Sequence, residues 1–395
     1  MHIRDNKPSY FATDLTDFLG CRHLAALERL AAFKKVKRPF FDDPMLEVLR
    51  ARGLEHERAY VTWLERSGKT VVQIGREDRG AFQTTLKAMT AGTDVIVQGR
   101  LEHDNWAGWA DVLLRMPGAS TLGTWHYEPA ETKMATVTSG ATLLQLCLYA
   151  ELLAAIQGAA PESLHVVTPD GAFHPEVYRF AEFRAYFRLI RRNFIGEAAQ
   201  PLPDSVEGLK PYPEPVAQCT ICSWAGQCER RWVSDDHVAF VAGIHKIQRR
   251  ELAAWGVTTL TALAQLPVPF AFKPSRGSVA ALVRVREQAR LQLEARTTGK
   301  IPYELLPIEA EQGLAALPEP SPLDVFLDLE GDRLAEQGGF DYLFGYALLD
   351  KAGKPQYEAL WALWAATSFV DTELERSCYN EVDYGTQGFY SRVQA

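Results

Sequence analysis

The residues of this chain best suited to chemistry are two acids and a lysine. The segment Gly108-Trp109-Ala110-Asp111 is followed, twenty residues beyond Asp111, by Glu131-Thr132-Lys133. Alternation along a strand puts Glu131 and Lys133 on one face. If the preceding strand ends at Asp111, two carboxylates and an ammonium converge at one sheet edge. That set suits phosphodiester hydrolysis. Hard oxygen anions hold Mg²⁺ or Mn²⁺, the metal polarises a phosphate and generates a nucleophile, and the lysine offsets charge developing in the transition state. Taken alone the pattern is weak, because surface strands often alternate Glu and Lys. Its surroundings add weight. His56, in Gly53-Leu54-Glu55-His56 on a helical stretch, is a candidate further metal ligand. Gln145 and Tyr149 stand at i and i+4 on the helix after Lys133, so they share a face.

A second group is made of sulfur. Cys219-x2-Cys222-x5-Cys228 supplies three thiolates, and a closed site needs a fourth ligand. Two upstream cysteines are candidates: Cys147 reads as buried core beside Gln145 and Tyr149, and Cys21 is the favoured partner. Four thiolates suit an iron–sulfur cluster or zinc.

The elements that must position these residues can be read from periodicity. Residues 10–66 read helical, with Asp14 and Thr16 at N-cap positions and a second helix over Met45–Arg66. Residues 70–135 read as strands separated by turn signals such as Met116-Pro117-Gly118, with an irregularity expected at Pro129, which lacks a ladder donor. A helix over 139–157, two strands (SLHVVTP and HPEVYRF) and a helix over Ala181–Phe194 follow, giving an α/β sheet layered with helices. Residues 201–218 are proline-rich and extended, and 237–298 read helical. A second proline-rich stretch, 307–322, leads to the strand VFLDLEGD and then DYLFGYALLD.

The stretch from Tyr10 to Glu229 resembles the RecB-like branch of the PD-(D/E)XK nucleases. The resemblance implies a restriction-endonuclease-like mixed sheet flanked by helices, with His56, Asp111 and Glu131 as ligands of Mg²⁺ or Mn²⁺. It makes Lys133 the catalytic lysine and has Gln145 and Tyr149 position the DNA and the active site. Ala110 departs from the proline that names the motif. One early cysteine plus a late C-x2-C-x5-C is similar to the iron–sulfur clasp of this family, which implies a [4Fe–4S] cluster on Cys21, Cys219, Cys222 and Cys228, with zinc as the alternative.

Further along, Gly243-Ile244-His245-Lys246 and Gly256-Val257-Thr258-Thr259-Leu260 resemble a helix–hairpin–helix-like element, with Lys246, Arg249 and Arg250 as nucleic-acid-binding candidates. An ordinary helical spacer is the other reading. Asp328 and Glu330, on one face of VFLDLEGD, resemble the first motif of ribonuclease H-like (YprB-type) exonucleases and form a candidate second metal site. Fewer than seventy residues remain after them, so a partial domain without exonuclease activity is expected. The resulting division is 1–235 nuclease domain, 236–306 helical segment, 307–322 linker and 323–395 partial ribonuclease H-like domain.

Composition sets the outer limits. Of 395 residues, 47% are hydrophobic and 23% charged, which excludes a disordered or fibrous chain. With 42 basic against 50 acidic side chains the net charge is −8, so a generally basic binder is excluded while a local basic groove is not. The N-terminal MHIRDNKPSY lacks the apolar core of a secretory signal, and Ala141–Ala160 is interrupted by Gln145, Glu151 and Gln157, so no membrane association is expected. A cytoplasmic protein with reduced thiols follows. The expected function is a metal-dependent DNA nuclease, acting on single-stranded or unwound ends in repair or recombination, with a helicase as a candidate partner. The alternative is a non-catalytic nucleic-acid-binding module of a helicase–nuclease assembly.

Overall fold

A computed structural model describes residues 1–4, 7–169, 172–332 and 340–361. The chain divides into two compact units, one of residues 1–168 and 173–305, the other of 306–395 with 169–172.

The first unit is mixed α/β. A short hairpin, β1 (His2–Arg4) and β2 (Lys7–Ser9), precedes helices α1 (Ala12–Gly20), α2 (Arg22–Ala32) and α3 (Pro44–Arg66). Strand β3 (Val71–Gln73), helix α4 (Ala81–Thr90) and the long strands β4 (Val95–His103), β5 (Trp106–Ser120) and β6 (Gly123–Thr132) follow. Then come α5 (Gly140–Gln157), β7 (Ser163–Val167), β8 (Glu176–Arg179) and α6 (Phe180–Ala198). The six strands β3 to β8 form one sheet in sequence order. Pairing is parallel for β3–β4 and β6–β7 and antiparallel for the others.

Helix α5 is the crossover between the parallel strands β6 and β7. It is apolar nearly all round, as a helix buried on every side must be. It is long and apolar enough to cross a membrane, yet Leu144, Leu146, Leu148, Leu152 and Leu153 are all buried in the core with α1, α4 and α6. Ser139 caps its start, accepting from Thr142 N at 3.2 Å, and Gly158 ends it in a left-handed turn (φ 67°). On the other side of the sheet, Tyr60 and Leu64 of α3 pack on Val95, Val97, Val112, Ala130 and Val167.

Three local expectations are corrected. Phe11, not Asp14 or Thr16, is the N-cap residue of α1. Asp14 is buried, and its carboxylate accepts from Phe11 N at 2.8 Å and from the Met1 ammonium at 2.6 Å. Met116-Pro117-Gly118 is no turn: β5 runs on to Ser120, with a register shift between Pro117 and Ser120. Gly118 adopts φ 146°, and a Cβ there would meet His126 at 2.8 Å. At Pro129 the β5–β6 register continues unshifted, and β6 begins to pair with β7 only at the next residue.

The proline-rich stretch after α6 is tied to the N-terminal helices. Arg29 donates to Glu197 O and Gln200 O, Lys35 to Pro203 O, and His23 Nδ1 lies 2.8 Å from Pro211 O. It leads into a 3-10 turn (Ala217–Ile221) and α7 (Ala225–Ser234). Helices α8 (Lys246–Ala254), α9 (Leu260–Ala264) and α10 (Val279–Thr298) then enclose a core of their own, with Leu252, Leu260, Leu263, Leu282 and Val285 buried. In the second unit, β9 (Val325–Asp332), β10 (Phe340–Leu349) and β11 (Pro355–Trp361) form an antiparallel sheet in the order β11-β10-β9.

Candidate active site and cysteine cavity

The β5–β6 ladder ends at the pair Val112–Ala130. Beyond it β5 stays with β4 while β6 turns to β7, so the two strands splay at Asp111 and Glu131. Asp111 therefore lies inside a long strand rather than at its end. Its carboxylate fills the fork, Oδ2 accepting from Thr132 N at 3.2 Å and from Thr132 Oγ1 at 3.3 Å. The strand's alternation switches phase at this residue: Ala110 and Leu113 both face the α5 side, and Val112 faces α3.

Glu131 is 3% exposed. Its Oε1 accepts from Lys133 Nζ at 2.8 Å and from Gln145 Nε2 at 2.6 Å, and its Oε2 is buried with no hydrogen-bond partner. Burial, then the Asp111 charge, pushes its carboxyl up to about 8 against the pull of Lys133. Lys133 follows β6, and its N–H donates to Val167 O at 2.9 Å, continuing the ladder. Its ammonium is desolvated, but Glu131, Asp111 and Glu57 together hold its pKa above the ordinary lysine value. Gln145 also donates to Tyr149 Oη at 3.2 Å. Tyr149 is buried, and burial followed by the Glu131 charge raises its phenol well above the ordinary range. Gly108 makes room for it: a Cβ there would lie 2.4 Å from Tyr149 Cε1.

Asp111, Glu131, Lys133, Gln145 and Tyr149 thus converge. His56 stands beside them. Its Nε2 lies 3.2 Å from Val167 O, the carbonyl that Lys133 N also uses, and its ring stacks 5.8 Å from Phe173. The side chains that meet Asp111 from this direction are ones that the motif reading passed over. Gln98 Nε2 donates to Glu57 Oε1 at 2.6 Å and reaches Asp111 Oδ1 at 3.4 Å, while Gln98 Oε1 accepts from Arg76 Nε and Nη2 at 3.1 and 2.6 Å. Gln98 is buried with a left-handed backbone (φ 52°), a conformation costing a non-glycine residue roughly 1 kcal/mol or more. The signal available was a lone amide inside the apolar run DVIVQGRL. Arg76 and Arg100 also place their guanidinium carbons 5.6 and 5.4 Å from the Trp109 ring centre, two residues along β5 from Asp111.

The second site lies where α2 meets the late cysteines. Cys21, Cys219, Cys222 and Cys228 line one cavity of about 10 Å³, walled by Leu24, Leu27, Trp224 and Trp232. Cys21 Sγ accepts from Leu24 N at 3.4 Å and Cys219 Sγ from Val216 N at 3.5 Å. Burial and the neighbouring sulfurs raise the thiol pKa of Cys21, of Cys222 and of Cys228, the last to about 12. Cys147 is buried in the core of α5, apart from this group. Trp224 and Trp232 are buried and donate to Glu28 Oε1 and Pro213 O, so they wall the cavity rather than face a nucleic acid. Among the described residues, no three His, Cys, Asp or Glu side chains stand at the spacing of a formed metal site. The donor sets still fit metals. Four sulfurs around one cavity suit zinc or iron, and two facing carboxylates with an unpartnered buried oxygen suit a hard divalent cation.

Of the helical candidates, Lys246 and Arg250 are exposed at the start of α8. Arg249 is a correction: it is buried, reaching Glu214 at 3.4 Å and Pro215 O at 3.2 Å, so it fastens α8 to the proline-rich stretch. Asp328 and Glu330 are exposed on β9, opposite Gly345 and Leu343 of β10. The tail from Ala365 to Ala395 lies outside the described residues. In comparisons with known proteins, no family model matches this chain, and no curated sequence does either.

Proposed function

We propose that the first unit is a metal-dependent deoxyribonuclease with a restriction-endonuclease-like core, hydrolysing phosphodiester bonds at single-stranded or unwound DNA ends. The reading rests on one observation above all. Glu131, buried beside Asp111 and Lys133, keeps an oxygen without any partner. In its ionised form a carboxylate so placed is costly unless a cation completes it. Asp111 and Glu131 would hold Mg²⁺ or Mn²⁺, which when bound polarises the scissile phosphate. Lys133 stays protonated beside three carboxylates, so it acts by charge and not as a base: its ammonium faces the phosphate and stabilises the charge that develops there. Gln145 fixes the Glu131 carboxylate through its amide. Tyr149, held in its neutral form, accepts from Gln145 Nε2 and keeps its O–H as a donor rather than acting as a base. Trp109, with Arg76 and Arg100 close to its ring, puts an aromatic group and two cations next to the fork.

The cysteine cavity serves this unit as a structural clasp, a [4Fe–4S] cluster or a zinc ion joining the start of α2 to α7 and the 3-10 turn before it. A helicase acting on the same DNA is the partner class that this activity suits.

Cleavage of end-blocked and open single-stranded and duplex DNA, with Mg²⁺ or Mn²⁺ and with chelator, tests the reading. Wild type should cut open substrates only with metal, and Lys133→Ala should not. Metal-independent cleavage, or equal cleavage by Lys133→Ala, overturns it. Metal analysis of anaerobically purified protein separates iron from zinc.

A further inference from the structure

Glu57 lies on the core side of α3, three and seven residues before Tyr60 and Leu64, which anchor that helix to the sheet. It is half-buried, one residue from the helix's histidine, and its carboxylate is turned to the fork. A single amide nitrogen links it there: Gln98 Nε2 donates to Glu57 Oε1 at 2.6 Å and reaches Asp111 Oδ1 at 3.4 Å. The amide cannot flip, because its oxygen accepts two N–H groups of Arg76. Burial and then the Asp111 charge raise the Glu57 pKa, and Glu57 in turn contributes to the raised pKa of Lys133, so the three groups feel one another. A carboxylate set needs a second sign that something binds to it. Glu131 supplies that sign, being 3% exposed with Oε2 unpartnered and coupled to the same Asp111.

We infer that Glu57 is the third carboxylate of the divalent-cation site, contributed by α3 in place of His56, and that Gln98 is the positioning residue that holds Glu57 beside Asp111. The inference rests on the cation site of the proposed nuclease. A neutral amide that donates to both carboxylates fixes their separation and orientation. His56, by contrast, has contacts with the Val167 carbonyl, through Nε2, and with the Phe173 ring, and none is described with Asp111 or Glu131.

Mn²⁺ binding to the full chain, followed through the electron paramagnetic resonance of the free ion, tests this without any catalytic readout. Glu57→Gln should weaken Mn²⁺ binding by about tenfold or more, as should Asp111→Asn, and Gln98→Leu should do so by a similar factor through loss of orientation. His56→Gln should change it less than about threefold on the same scale. Glu57→Asp, which keeps the charge on a shorter arm, should fall between wild type and Glu57→Gln, and covers the case in which Glu57→Gln does not fold. If Glu57→Gln and Glu57→Asp bind Mn²⁺ like wild type while Asp111→Asn does not, the inference fails and the nuclease reading stands. If wild type itself binds no Mn²⁺, both fail. If His56→Gln loses binding and Glu57→Gln keeps it, the histidine is the ligand and the inference is overturned.

Discussion

The fork and the cysteine cavity solve opposite problems. The fork gathers its groups from neighbouring strands and the crossover helix, between Asp111 and Tyr149, with Glu57, Arg76 and Gln98 arriving from the adjoining α3, loop and strand. Its walls are a finished core: Leu144, Leu148, Val112 and Ala130 are buried whatever occupies the site. The cavity gathers sulfurs from segments nearly two hundred residues apart in sequence, and its surroundings are a small cluster of Leu24, Leu27, Leu30, Leu209 and Trp224. A strained, charged centre can be held by a sheet that does not depend on it. A centre that stands in for missing core cannot be removed without loosening what it joins.

The comparison breaks most visibly at the cysteines. Cys222→Ser should abolish metal retention and cost the first unit its cooperative unfolding transition, because structural metal sites contribute roughly 10 kcal/mol or more to small folds. Metal analysis with calorimetry checks this, and a variant that melts like wild type would place the cavity among ordinary core packing. Lys133→Ala should do the reverse, lowering the cleavage rate by roughly 10²- to 10³-fold with an unchanged melting temperature. Gly108→Ala tests how tightly the fork is held. The new methyl group displaces Tyr149, and since a misplacement of about 1 Å can cost up to about 100-fold, single-turnover rates should fall toward that limit with metal affinity retained. Asp328→Ala, in the other unit, should leave cleavage unchanged. Loss of cleavage with the fold preserved would move a catalytic role to β9.

A pH slope in stability is expected near the clasp. Burial first, then Glu28 and Asp14, raise the Asp17 carboxyl from 3.8 to about 6. A raised acid binds its proton more tightly when folded, so its penalty is absent below pH 3.8, grows as pH rises toward about 6 and is constant above. Asp17→Asn should therefore remove a decline in stability across that window and leave the variant the more stable protein at pH 7. Denaturant titrations of both proteins at intervals across the window measure it, and parallel curves would show that Asp17 is not perturbed.

Much of the fork was legible because its spacings are local. Alternation linked Glu131 with Lys133, and helical period linked Gln145 with Tyr149; both contacts are present at hydrogen-bonding distance. Gln98 and Glu57 were not legible, for one physical reason. Alternation counted from Ile96 puts Gln98 on the α5 face, but the left-handed turn of its backbone sends the side chain to Glu57 on α3. No period predicts a residue that breaks the period. Arg249 misled in another way: a charge on a short helix reads as a surface feature, and only the fold shows Glu214 and the Pro215 carbonyl waiting for it. The extent of β5 was misread because Pro117 and Gly118 form a bulge with the same residue types as a turn.

The shared cavity of Cys21 and Cys219 also orders events in time. Cys21 leaves the ribosome nearly two hundred residues ahead of its partners, while everything from β4 to β7 that shapes the fork lies between them. Contacts close in sequence form early, and a loop this long closes late, although its entropic cost grows only with the logarithm of its length. Every strand of the sheet is therefore made before the last cysteine is. A metal held in the cavity as proposed would be the last part of the unit to be put in place, joining segments that the fork does not need in order to form.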